Sequence, residues 1–280
     1  MQEVTDTFNA VHNYLAANPA VEVTQLAANY IPAGTVTKIG DIELGDYIDL
    51  VSLTIAADSA GKGGLTASTN GDFGTDGKLL RLIVVGINSF NHNAPYTGNG
   101  NASQPHLVFQ FQNLPVRQSM NLTRTVAGGY AASDMRKYLV KVGTNGGNFL
   151  EGLEDAGVPM DVIWAPKRYV SNGDKHNANG ADLIEDKLWL PTEREMFGYR
   201  NGSSDAYETE ANQTRLAYYS DGDKRIKSEP WSTSSSPMWY WMASPCTANS
   251  PYFCLTGQTG GAGWVVAIVE IGCAPAFCVR

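Results

Sequence analysis

The side chains of this 280-residue chain best suited to chemistry are its four thiols and four imidazoles, and their spacing decides what they could do. Cys246, Cys254, Cys273 and Cys278 all fall within the final stretch, Trp239–Arg280. None belongs to a Cys-x-x-Cys pair and none has a neighbouring His, so the ligand spacing of a structural zinc site is missing and no metal is expected. Cys254 follows Tyr252-Phe253 and Cys278 follows Phe277. Both read as small apolar residues on strands, while disulfide pairing among the four stays open. His12, His92, His106 and His176 are scattered. No Ser-His-Asp or Cys-His arrangement stands out that would activate a nucleophile. Glu193 and Glu195 flank Arg194 in LPTEREMFG. Thr192 with Glu195 three residues on has capping-box spacing, so this charge cluster is read as a helix start and not as an acid–base pair. No catalytic residue is assigned and no enzyme is expected.

The composition narrows the partners. Formal net charge is −8 and charged residues make up 17%. Without a Lys/Arg run the chain is poorly suited to neutralising phosphates, so no nucleic-acid partner is expected. No apolar run approaches the roughly 18 residues that would cross a bilayer, so no membrane insertion is expected. The N-terminus lacks the basic region and long apolar core of a signal peptide.

The elements that must position any site follow from periodicity. Val4, Phe8, Val11 and Leu15 share one helical face, and Asn18-Pro19 ends that helix. Residues 1–33 are therefore read as a helical arm for docking or self-association, with a homo-trimer favoured and tucking onto the body as the alternative. From Thr35 the pattern turns to strands, with a loop expected at 58–78, a buried strand at 78–90, a loop at 91–106 and a strand at 107–115. Ser133 caps a helix with Met135, Tyr138 and Leu139 on its face. A second short helix turns Phe149, Leu150 and Leu153 inward and stops at Gly157. VPMDVIWAPKRYVS and DKLWL read as strands, with a loop at 171–180, and 199–237 is polar. Strands, two adjacent helices, then more strands make an α+β plan, with one domain at 34–280.

The tail divides into two sets. Trp241, Ser244, Pro245, Tyr252, Phe253, Cys254, Gly272, Pro275 and Phe277 read as scaffold. Between them lie Trp239, Tyr240, Met242, Ala243, Cys246, Thr247, Ala248, Asn249, Pro251, Leu255, Thr256, Gln258, Thr259, Trp264, Val265, Val266, Ile268, Val269, Ile271 and Cys273, which share no common chemistry. They are the candidate ligand-binding residues of a display surface. WVVAIVEI (264–271) fits a buried strand as well as it fits display, and alternating sides would reconcile the two.

GDIELGDYIDL, IVVGINSF, GGYAASDMRKYL, KLWLPTEREMFG and the tail frame YWMASP…YFC…G…APAFCV occur in this order. The series resembles C-type-lectin-like proteins of gut bacteria and their phages, many of which are variable proteins of diversity-generating retroelements. The resemblance covers residues from about 36 to the end and implies a C-type-lectin-like fold. It implies a non-enzymatic ligand- or receptor-binding protein whose variable region is 239–280. The implied partner is a protein or glycan on a bacterial surface, and the implied setting is a phage tail in the virion or an extracellular surface. In that family, mutated AAY codons give a restricted set of residues. Thr247, Leu255, Val265, Ile268 and most other gap residues fit that set; Trp239, Met242, Gln258, Trp264 and Glu270 do not. The EPN, QPD and WND triplets of calcium-dependent sugar binders are absent, so no calcium cofactor is expected. Two alternatives stand beside this reading: a structural virion component without a variable face, and a formylglycine-generating-type enzyme with copper at Cys273 and Cys278.

Overall fold

A computed structural model describes residues 2–17, 42–50, 52–57, 65–68, 80–90, 105–142, 145–172, 181–199, 215–229, 236–246 and 251–280. Strands dominate it. The first eight are β1 (Tyr47–Asp49), β2 (Ser52–Ile55), β3 (Leu65–Ser68), β4 (Arg81–Ile87), β5 (Leu107–Phe111), β6 (Val116–Gln118), β7 (Lys141–Val142) and β8 (Asn145–Gly146). Then come β9 (Ile163–Trp164), β10 (Lys167–Ser171), β11 (Ala181–Glu185), β12 (Tyr240–Pro245), β13 (Tyr252–Thr256), β14 (Ala262–Val266), β15 (Ile271–Cys273) and β16 (Ala276–Val279). The α-helices are α1 (Gln2–Ala17), α2 (Asp134–Leu139), α3 (Asn148–Asp155) and α4 (Glu193–Phe197). The class is α+β, as the order of sequence patterns predicts.

Two five-stranded sheets carry the fold. One runs β1-β4-β5-β16-β9 and is antiparallel throughout. The other runs β14-β13-β12-β15-β6 and is antiparallel except where β15 lies parallel to β12. The chain passes between the sheets four times, two of them by direct links between consecutive strands, from β5 into β6 and from β15 into β16. Both direct passages leave backbone groups outside a ladder, and such groups need partners when buried. The Gln110 side-chain amide donates to the Ala274 carbonyl at 2.6 Å, tying one passage to the other. Lys227 Nζ reaches the Phe111 carbonyl at 2.5 Å and the Gln112 carbonyl at 3.3 Å, and Leu114 N donates to Ser228 O at 3.0 Å.

Helix α1 departs from the expected use. Its Val4, Phe8, Val11 and Leu15 are buried in the chain's own core. The Phe8 ring lies 5.6 Å from Phe109 of β5 and 5.9 Å from Phe277 of β16. Thr5 Oγ1 donates to Gly157 O at 2.7 Å. The apolar face assigned to self-association is thus covered intramolecularly, because the first sheet offers it a large aromatic surface. Tucking onto the body, the alternative use, is what occurs.

Helices α2 and α4 start where their caps predict. The Ser133 side chain accepts from Arg136 N at 3.1 Å, and Met135, Tyr138 and Leu139 are buried. At α4, Thr192 N donates to Glu195 Oε2 at 2.8 Å and Glu195 N to Thr192 Oγ1 at 3.2 Å, completing the capping box. Glu195 also receives a bidentate pair from Arg168, both side chains being buried. Helix α3 buries Phe149 and Leu153 and half-buries Leu150. A Cβ at its Gly152 would stand 2.4 Å from the Thr54 carbonyl, so only glycine permits α3 to approach β2 so closely.

Three further expectations change. The stretch 58–78 contains β3, which pairs with β2, where only loop was expected; the rest of that stretch lies outside the described residues. DKLWL makes a single bridge, Trp189 to Ala276, in place of a strand. Residues 264–271 do not form one strand: β14 ends at Val266, a turn follows, and β15 begins at Ile271.

Candidate ligand-binding face

The frame residues sit where a support would have to be. Trp241, Ser244, Pro245, Phe253, Cys254, Gly272, Pro275 and Phe277 are buried, and Tyr252 is half-buried. Trp241 Nε1 donates to Gln118 O at 2.7 Å, giving a buried indole the partner it needs. Ser244 Oγ accepts from Glu193 N at 2.9 Å, and Ala243 N donates to Pro191 O at 2.9 Å, fixing α4 against β12. Phe277 stacks on Phe109 at 5.7 Å.

Many of the candidate display residues belong to this support. Tyr240, Met242, Ala243, Cys246, Leu255, Thr256, Ile271 and Cys273 are buried. The cause is position in the sheet: β12 and β15 are buried on both faces, and on β13 every side chain but half-buried Tyr252 is buried, so alternation does not turn these residues to solvent. Tyr240 OH donates to Arg225 O at 2.7 Å. Leu255 lies opposite Trp241 in the ladder. Cys273 Sγ lies 3.7 Å from Met135 Sδ of α2. Thr247, Ala248 and Asn249 fall outside the described residues.

What remains exposed lies on β14 and the turns at its ends, with Trp239 apart from them just before β12, where its carbonyl accepts from Gly272 N. Trp264 is 56% exposed, Trp239 46%, Ile268 44% and Val269 37%. Gln258 and Thr259 are exposed, and Pro251, Val265 and Val266 are half-buried. β14 is the edge of its sheet, which frees one of its sides from a neighbouring strand. Backbone contacts hold both turns. Gly257 N donates to Gly261 O at 2.6 Å and Gly260 N to Gly257 O at 3.0 Å. Gly260 has φ +76°, and a Cβ there would meet Gly222 O at 2.5 Å. Arg225 Nε donates to Gly260 O at 2.9 Å. The tip is therefore docked by main chain and Arg225 while Gln258 and Thr259 point away. In the second turn Ala267 is buried; its N–H donates to Pro251 O at 2.8 Å and its carbonyl accepts from Asn121 N at 3.0 Å. That bond brings exposed Leu122, next to Asn121, to the neighbourhood of Ile268.

Such a face offers apolar area and uncharged hydrogen-bonding groups, with Glu270 its one acidic neighbour in the second turn. No group of three or more His, Cys, Asp or Glu side chains that could hold a metal occurs among the described residues. Cys273 and Cys278 are both fully buried, their thiols pushed well above the ordinary range by desolvation, and they lie on strands of different sheets. Sequence reasoning missed Lys227, read only as part of the polar stretch 199–237. Its side chain is buried, and desolvation pushes its ammonium down to about 7. Its carbonyl partners come from a distant part of the chain, so no local pattern marks it.

The fold and this face define an α+β protein with an apolar edge surface on a hydrogen-bonded support. The chain belongs to a family described as a domain of unknown function, DUF6273, whose model matches residues 112–280. The match starts at the first passage between sheets and takes in the whole of the second sheet. No curated protein and no solved structure matches the chain. No helix among the described residues is long and apolar enough to cross a membrane.

Proposed function

We propose that this chain is a non-enzymatic ligand- or receptor-binding protein, built on a C-type-lectin-like fold, that engages a protein or glycan on a bacterial surface through the β14 edge and its flanking turns. The observation that carries this reading is the split within one short tail. Exposed Trp239, Gln258, Thr259, Trp264, Ile268 and Val269 are attached to a backbone held by main-chain bonds and by the buried frame. Large aromatic side chains give contact area at small ordering cost, and a preorganised backbone lowers the cost further. Clustered exposed apolar residues on a chain with few charged ones suit an interaction surface.

The diversified-surface reading rests on the resemblance of the tail frame to retroelement variable proteins. Within it, Thr259, Ile268 and Val269 are positions that AAY codons can rewrite, and Trp239, Gln258 and Trp264 are either fixed contacts beside them or products of other adenine-bearing codons. The setting is a phage tail or another extracellular surface. Burial of Tyr240, Met242, Leu255, Thr256, Ile271 and Cys273 favours a second reading, in which the tail is largely core and the chain is a structural virion component. The burial of Cys273 and Cys278 in separate sheets counts against a copper-dependent enzyme of the formylglycine-generating type.

Binding to immobilised bacterial envelope fractions, before and after the combined change Trp264→Ala, Ile268→Ser and Val269→Ser, separates the readings. A binding protein of this kind loses its capture of the fraction it recognises by tenfold or more, on the order of the effect of removing a hot-spot cluster. Unchanged capture by the folded triple variant, or no capture from any fraction, refutes the proposed face.

A further inference from the structure

Two of the four thiols meet. Residues 240–246 are all buried, and the Cys246 N–H donates to Tyr252 O at 2.9 Å. Tyr252 and Cys254 are two residues apart on β13, so they face the same side of the sheet. Pro245 pairs with Phe253, so Cys246 stands opposite Tyr252 and Cys254 is its diagonal neighbour on the same face of the sheet, within range of its thiol. Neither is in a disulfide. Cys246 is 8% exposed, at the limit of the core, while Cys254 is fully buried. Hydrogen bonding to Cys254 holds the Cys246 thiol below its ordinary range, against burial and the nearby Glu193 carboxylate, which push it up. Cys273 and Cys278 have the opposite character, buried and pushed well up. Attack on a disulfide requires a thiolate near the surface, and Cys246 is the least buried of the four.

We propose that Cys246 and Cys254 form a redox-active dithiol that closes reversibly to a disulfide between the second sheet's adjacent strands. The oxidant is a low-molecular-weight disulfide, RSSR. The Cys246 thiolate attacks one sulfur of RSSR, forming a mixed disulfide and expelling RS⁻, which takes up a proton. The Cys254 thiol gives up its proton and attacks the Cys246 sulfur, expelling the second RS⁻, which is also protonated. The protein loses two electrons and two protons, and one RSSR becomes two RSH. Closure links the residues on either side of 247–253 covalently, next to the proposed binding face. The inference rests on the thiol pair and not on the binding proposal.

Intact-mass measurement and peptide mapping of the full chain after exposure to oxidised glutathione test this. The expected product has lost about 2 Da, yields a peptide joined through Cys246 and Cys254, and reverts with a phosphine reductant. The Cys254→Ser variant stops at the glutathione adduct on Cys246, and Cys246→Ser gives no adduct at Cys254. The wild-type mapping needs no variant to fold. Four unmodified thiols in the native protein, or a link through Cys273 or Cys278, overturns the proposal.

Discussion

Lys227 shows how a single side chain can couple the two sheets and carry a pH signature. Its ammonium bonds the Phe111 and Gln112 carbonyls where β5 leaves the first sheet, and the rings of Tyr219 and Tyr240 lie 5.7 and 5.9 Å away. Burial lowers its folded pKa from 10.5 to about 7. Between those values the unfolded chain keeps a proton that the folded chain has released. Stability from this group therefore rises with pH across the window, by at most about 1.4 kcal/mol per pH unit. Denaturant unfolding of wild type and Lys227→Met between about pH 7.5 and about pH 9 should show the difference moving in favour of wild type as pH rises. Parallel curves would mean that Lys227 keeps its proton in the fold. The residues legible in sequence were those with local partners. Ser133 bonds Arg136 and Thr192 bonds Glu195, each three residues on. Lys227 acts on carbonyls more than a hundred positions away, and Arg168 pairs with Glu195 across two elements, so neither has a sequence signature.

Elements repeat that division between local pattern and distant partner. The periodicity of Val4, Phe8, Val11 and Leu15 is sufficient to predict α1, but it does not say what the apolar face meets. Phe109 and Phe277, the rings that receive Phe8, belong to strands far along the chain. Truncating Phe8 to Ala should cost about 3–5 kcal/mol, as removal of a buried aromatic does. The thermal midpoint should fall, while light scattering on the folded protein gives the same particle mass as wild type. A smaller particle with an unchanged midpoint would restore α1 to a role between copies. The tail failed in another way. Trp264–Ile271 is apolar throughout, and composition alone does not reveal the turn at 267–269 that exposes Ile268 and Val269. That turn exists because Ala267 bonds Pro251 and Asn121, one partner on the far side of β13 and the other outside the tail altogether. β12, by contrast, mixes residue types as a display strand would, yet every one of its side chains is buried.

At the scale of the molecule, two sheets are joined by four chain passages, two of them direct, with the first helix packed over the first sheet and β14 forming one edge of the second. The α+β plan and the adjacent short helices were legible because each depends on short-range pattern. Which gap residues reach solvent was not, since exposure depends on the order of strands in the sheet. The tail thus divides into residues buried in the sheet and residues exposed at the β14 edge and its turns. The decisive measurement is a pair of libraries scored together for protease resistance and for new binding. One randomises Trp239, Gln258, Thr259, Trp264, Ile268 and Val269. The other randomises Met242, Ala243, Leu255, Thr256, Ile271 and Cys273. If the edge is a display surface, most members of the first library stay folded and some capture ligands that wild type does not, while most of the second unfold. Equal loss of folding in both libraries, or a well-folded first library with no new binding, would contradict it.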